Sequence, residues 1–214
     1  MTNQTQSVPP ATLRRLDSAN ADTLADLFAT FDDLQTVLRC CERLVSALTP
    51  GDSEPDDVLI EGLWTLALLS YTRCFSTGRA AAALTVDDLT TTQPDGDVLE
   101  WHQVLLQLRE HYADLTANPR ERFSVGIAQD PDGAAGGVGV TSARQPLVDS
   151  LTVRQTGAIA FALSEFVNER IAAQQQKVFT EAREIPNSEL NSLDPLEVAV
   201  AQSGAGGDVA TQMS

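Results

Sequence analysis

From about Asp22 to Leu48, hydrophobic side chains recur at steps of three and four: Leu24, Leu27, Phe28, Phe31, Leu34, Val37, Leu38, Cys41, Leu44, Val45 and Leu48 mark the run. That period lays one apolar stripe along a helix and predicts the clearest element of the chain. Thr49, Pro50 and Gly51 end it, and the acidic loop beyond them supplies Asp and Glu where the next helix begins, a position its dipole favours. The second predicted helix, about Pro55 to Ser76, is apolar on nearly every side, with Glu61 interrupting the stretch from Val58 to Leu69. Such a helix is expected to be the central, buried one, with Gly78 placed as its C-terminal cap. A third helix is expected from about Asp97 to Leu115, opened by Asp97 three residues before Glu100 in a variant of the capping box.

After Asn118 and Pro119 the period shortens to two. Phe123, Val125 and Ile127 alternate, DPDG follows, and Val138 and Val140 alternate again, so Phe123–Ala128 and Gly137–Ser142 are expected to be the arms of a small β hairpin. The glycines of AAGGVGV have no following Lys-Ser/Thr and no strand–turn–helix context, so they are assigned to the hairpin and not to a phosphate loop. A fourth long helix is expected from Thr152, with Thr152 and Gln155 as a capping box, to a stop at Pro186. The fold expected is therefore mostly α: four main helices, with the hairpin inserted before the last. Residues 1–18 are expected to be a loose arm, 19–185 one helical domain, and 186–214 a disordered tail holding at most a marginal helical turn.

Composition narrows the picture. In 214 residues, 43% hydrophobic and only 5% aromatic, a single core of aliphatic side chains is expected. A net charge of −16 argues against a general nucleic-acid coat or an anionic membrane surface, since phosphate binding needs clustered cations. A local arginine patch is still compatible with it: there are thirteen Arg and one Lys, a ratio that GC-rich coding also produces. Cys40, Cys41 and Cys74 fall in apolar helical patterns without C-x-x-C spacing, and read as reduced core thiols of a cytoplasmic protein. The amino terminus does not read as a signal peptide, and the longest apolar run is too short to span a bilayer. No metal site and no cofactor are expected.

Candidate chemistry gathers on the third helix and the connection after it, WHQVLLQLREHYADLTANPRERF. Both histidines are there, His102 and His111, with Arg109 and Tyr112. His102 and Arg109 are two turns apart on one face, whereas the two histidines are badly offset for shared metal coordination from one helix. No paired-carboxylate or nucleophile-elbow pattern accompanies them.

The run YTRCFSTGR (Tyr71 to Arg79), followed by WHQVLLQLREHYADLTANPRE (Trp101 to Glu121), resembles bacterial helical proteins of the HEPN-like superfamily through Tyr71, Arg73, Cys74, Phe75, Gly78, Arg79, His102, Leu108, Arg109, Asn118 and Glu121. The resemblance implies a dimeric helical bundle. In active members an Arg-x4–6-His motif cuts RNA without metal, the Arg meeting phosphate charge and the His moving a proton. That motif is degenerate in this chain: the positions a partner His would take from Arg109 are Asp114, Leu115 and Thr116. The expected role is accordingly a non-catalytic interaction module, a homodimer with a protein partner, whose Arg73, Arg79, Arg109, Arg120 and Arg122 face an anionic or phosphate group, with Tyr112, Asn118 and Glu121 as further ligand-binding residues. The alternative is a ribonuclease of toxin or defence type using Arg109 with His102 or His111, with RNA as partner. In the fold, His102, Arg109 and either Arg73 or Arg79 are expected to converge into one site.

Overall fold

The computed structural model describes residues 13–49, 56–79, 82–92 and 97–196. The elements are α1 (Ala19–Leu48), α2 (Asp57–Arg73), a 3-10 turn (Thr77–Arg79), α3 (Val86–Thr92), α4 (Val98–Ala113), β1 (Glu121–Gln129), β2 (Ala135–Arg144), α5 (Ser150–Glu184) and α6 (Asn187–Ser192). The mostly helical expectation holds: four main helices, with the hairpin between α4 and α5. Pro50 and Gly51, expected to stop α1, lie outside the described residues; within them Thr49 closes the helix in extended conformation.

Local chemistry explains most of the boundaries. The Ser18 hydroxyl accepts from the Ala21 amide at the start of α1, Asp56 from Val58 and Leu59 at α2, and Asp97 from Glu100 at α4, as its spacing predicts. At α5 the cap lies earlier than the Thr152–Gln155 box suggests. Asp149 takes that place, its carboxylate accepting from both the amide (2.9 Å) and the hydroxyl (2.9 Å) of Thr152, which puts Thr152 inside the first turn. The second helix stops short of Ser76 because Cys74, Phe75 and Ser76 donate to the carbonyls of Tyr71, Thr72 and Arg73, a three-residue spacing that tightens the chain out of α geometry. Gly78 belongs to that tight turn and is not the helix cap expected of it.

The core corrects one expectation of position. The central helix is α1, which packs against α5 on one side and α2 on the other, while α4 lies on α2 and α3 touches both α4 and α5. Leu34, Val37 and Leu44 of α1, Ile60, Leu68 and Tyr71 of α2, Leu105 of α4 and Val153, Leu163 and Val167 of α5 are buried. Each fully buried aliphatic side chain contributes about 2 kcal/mol. Helix α2 packs mainly against α1 and α4, and its remaining side leaves Val58, Leu59, Leu66 and Leu69 exposed despite the all-round apolar sequence.

Described residues before position 18 and after position 186 meet one another. Arg15 donates its amide to the Asp194 carbonyl (2.8 Å), Leu196 to the Leu13 carbonyl (2.9 Å), and the Arg14 guanidinium to the Leu193 carbonyl (2.7 Å). The two ends of the described chain are thus laced to each other.

Strands β1 and β2 pair antiparallel, with Val125 opposite Val140 and Ile127 opposite Val138. Asp130-Pro131-Asp132-Gly133 turns the ribbon: the Gly133 amide donates to the Asp130 carbonyl (2.8 Å), the Asp130 amide to the Ala134 carbonyl (2.9 Å), and Gly133 takes φ 86°, which a side chain resists. Apart from the partly covered Glu121, every residue of the two strands is exposed. The base of the ribbon is tied to the bundle by Arg144 to Asp57 (2.7 Å) and is closed on itself by the Gln145 amide, which donates to the Arg120 carbonyl (2.8 Å).

Candidate functional site

Helix α4 turns His102 inward, where it is 3% exposed. Its Nδ1 lies 2.9 Å from the hydroxyl of Tyr71, itself fully buried on α2, and its ring centroid is 4.5 Å from that of Phe75. Burial pushes the Tyr71 phenol well above its ordinary range and the His102 imidazole below its own. A protonated phenol therefore faces a neutral imidazole, a satisfied hydrogen bond inside an aromatic cluster.

The arginines expected to join His102 lie elsewhere. Arg73 reaches across to α1, where Nε and Nη2 both bond Oδ1 of the buried Asp33, and Nη2 also donates to the Ser70 hydroxyl (2.9 Å). The Asp33 hydrogen bonds raise the Arg73 pKa further. Arg109 is exposed and makes no hydrogen bond or ion pair with any described residue. His111 is exposed in the last turn of α4, its ring edge-on to Tyr112 with centroids 6.1 Å apart. The Arg79 side chain lies outside the described part of the structure. His102, Arg73 and Arg109 thus share a sequence neighbourhood without sharing a hydrogen-bond network. On α4 only His102 and Leu105 are buried, so Arg109 keeps the face of His102 but not its cover.

A different group does assemble beside α2. Glu61, Tyr112 and Arg120 line an open groove of about 500 Å³ whose walls include Val58, Leu66 and Leu69. Glu61 is 9% exposed; its Oε1 is 4.0 Å from Arg120 Nε, and its Oε2 is buried without a hydrogen bond among the described residues. Burial, and then the negative charge of Glu61, push the Tyr112 phenol up to about 12. Asn118 shapes the approach, its side-chain oxygen accepting from the Arg120 amide at 2.9 Å. Glu121 stands at the foot of the hairpin opposite Arg144. Of the expected ligand-binding residues, Tyr112 is therefore in this groove, Asn118 organises its loop, and Glu121 lies just beyond.

Glu61 is the residue that sequence reasoning missed. Its signal was the lone acid in the longest apolar run, since a carboxylate surviving there must find either a partner or an opening. The groove offers apolar walls and one acid facing one base at long range. The Glu61 carboxylate offsets the positive charge of Arg120 and lies against the Tyr112 phenol.

The fold and this surface define a helical bundle that carries an exposed β arm beside a shallow groove of mixed polarity. Comparison with protein-family models, curated proteins and solved structures finds no match to this chain. Among the described residues no helix is long and apolar enough to cross a membrane.

Proposed function

We propose that this protein is a helical interaction module that works by holding a partner and not by cutting RNA. The observation supporting this reading is the placement of His102. A general acid or base must reach its substrate and titrate near working pH; His102 sits under Tyr71 and Phe75 with its pKa lowered by burial. The HEPN-like resemblance is compatible with the same reading as a bundle that keeps the family's helices without its Arg-x4–6-His pair. Arg109 remains the residue best placed to meet an anionic group on a partner, because it is exposed and engaged with no described side chain.

The test is incubation of the purified protein with mixed RNA in the absence of added metal, alongside Arg109→Ala and His111→Ala variants, both at exposed positions. The expected outcome is no cleavage above background in any of the three. Cleavage by the wild type that disappears in both variants would establish the ribonuclease instead.

A further inference from the structure

The hairpin presents one face built of Phe123, Val125 and Ile127 on β1 and Val138 and Val140 on β2, since residues paired across the ribbon point the same way. These five side chains are 60%, 72%, 61%, 70% and 65% exposed. Together they leave roughly 500 Å² of apolar surface open, near the upper end of what a monomer carries. A lone two-stranded ribbon is also marginal in water and is ordinarily held by packing on a face. Here its base is tied to the bundle through Arg144–Asp57 and Arg120–Glu61, and apart from Glu121 both strands are exposed.

The second bare surface adjoins the first. Val58, Leu59, Leu66 and Leu69 of α2 are 71%, 50%, 42% and 37% exposed, and Arg120, just before β1, lines the groove that contains three of them. We propose that two copies of this chain form a twofold dimer in which the apolar face of each hairpin packs on the exposed α2 face of the other. The proposal rests on the interaction-module reading and names one partner for it.

Size favours a second copy as the occupant, and the local absence of charge permits it. A twofold arrangement uses each pair of surfaces twice and would bury about 1,600 Å² in all, the size of a standard stable interface. A chain of net charge −16 repels its own copies over most of its surface. Yet residues 123–129 and 133–143 contain no charged side chain, and residues 58–69 contain only Glu61. These uncharged surfaces allow like molecules to approach, and interface cores are depleted in charge for that reason.

Sedimentation equilibrium and light scattering on the full chain, from about 1 to about 200 µM, read the association directly. The wild type is expected to be a dimer. Val125→Glu on the hairpin and Leu59→Glu on α2 are each expected to weaken association by at least about thirtyfold. Both positions are exposed, so an unchanged helical circular dichroism spectrum verifies that the variants fold. An equimolar mixture of the two variants is expected to associate more tightly than either alone, because the intact hairpin of one finds the intact α2 face of the other. A wild type monomeric throughout, or a dimer indifferent to both changes, would overturn the proposal. So would a dimer broken by Val125→Glu but not by Leu59→Glu, which would indicate ribbon-on-ribbon packing. RNA cleavage is a separate readout: a monomer that leaves RNA intact removes this dimer while sparing the module reading.

Discussion

His102 shows how burial changes what a residue can do. On paper it is the scarce, titratable side chain two turns from an arginine; in the fold it closes a hydrogen bond with Tyr71 in a dry aromatic cluster. Its folded-state pKa lies below that of the unfolded chain, so the unfolded chain binds the proton first as pH falls. The resulting stability is complete above the ordinary histidine value of about 6.5 and is lost as pH drops below it, with a slope of at most about 1.4 kcal/mol per pH unit. Thermal denaturation between pH 8 and 5 is expected to show that decline in the wild type and a shallower one in His102→Gln. Parallel curves would mean that His102 titrates alike in both states. The thiols behave similarly: Cys41 is buried and pushed up to about 12, which leaves it unreactive as a thiolate near neutral pH.

At the scale of elements, stops and starts were readable wherever one side chain does the work. Asp97 caps α4 by its spacing alone, and DPDG fixes the hairpin turn because only the fourth residue must take positive φ. Gly133→Ala is therefore expected to cost the ribbon about 1 kcal/mol. Faster amide exchange at Val125 and Val140, with exchange in α1 unchanged, would register it; equal protection in wild type and variant would show that the strands do not depend on the turn. The misread boundaries, at Ser76 and Thr152, are places where competing local bonds decide. Three-residue hydrogen bonds tighten the end of α2, and the charged carboxylate of Asp149 takes the cap ahead of Thr152.

For the whole molecule the dominant fact is charge. Thirty acidic residues against fourteen basic ones give a net −16, and ion pairs such as Arg39–Asp32 and Arg144–Asp57 lie at the surface. Self-repulsion therefore opposes compaction, and salt should relieve it. The midpoint Tm at neutral pH is expected to rise by several degrees between about 10 mM and about 0.5 M sodium chloride. A flat or falling Tm would mean that specific pairs such as Arg73–Asp33 outweigh the general repulsion.

Periodicity in the sequence determined which segments are helices, where the hairpin lies and that the thiols sit in the core, because helix and strand periods are written in local order. Which helix is central was decided by tertiary packing: α2 has the more apolar sequence, yet α1 packs along both of the other long elements it meets, α5 and α2, while α2 meets the shorter α4 only lightly. Packing likewise separated His102 from Arg109, which share a face of α4 but not its cover, and joined Glu61 to Tyr112 and Arg120 across fifty residues or more of chain. A side chain's chemistry depends on what lies against it, and for residues distant in sequence only the fold supplies that neighbour.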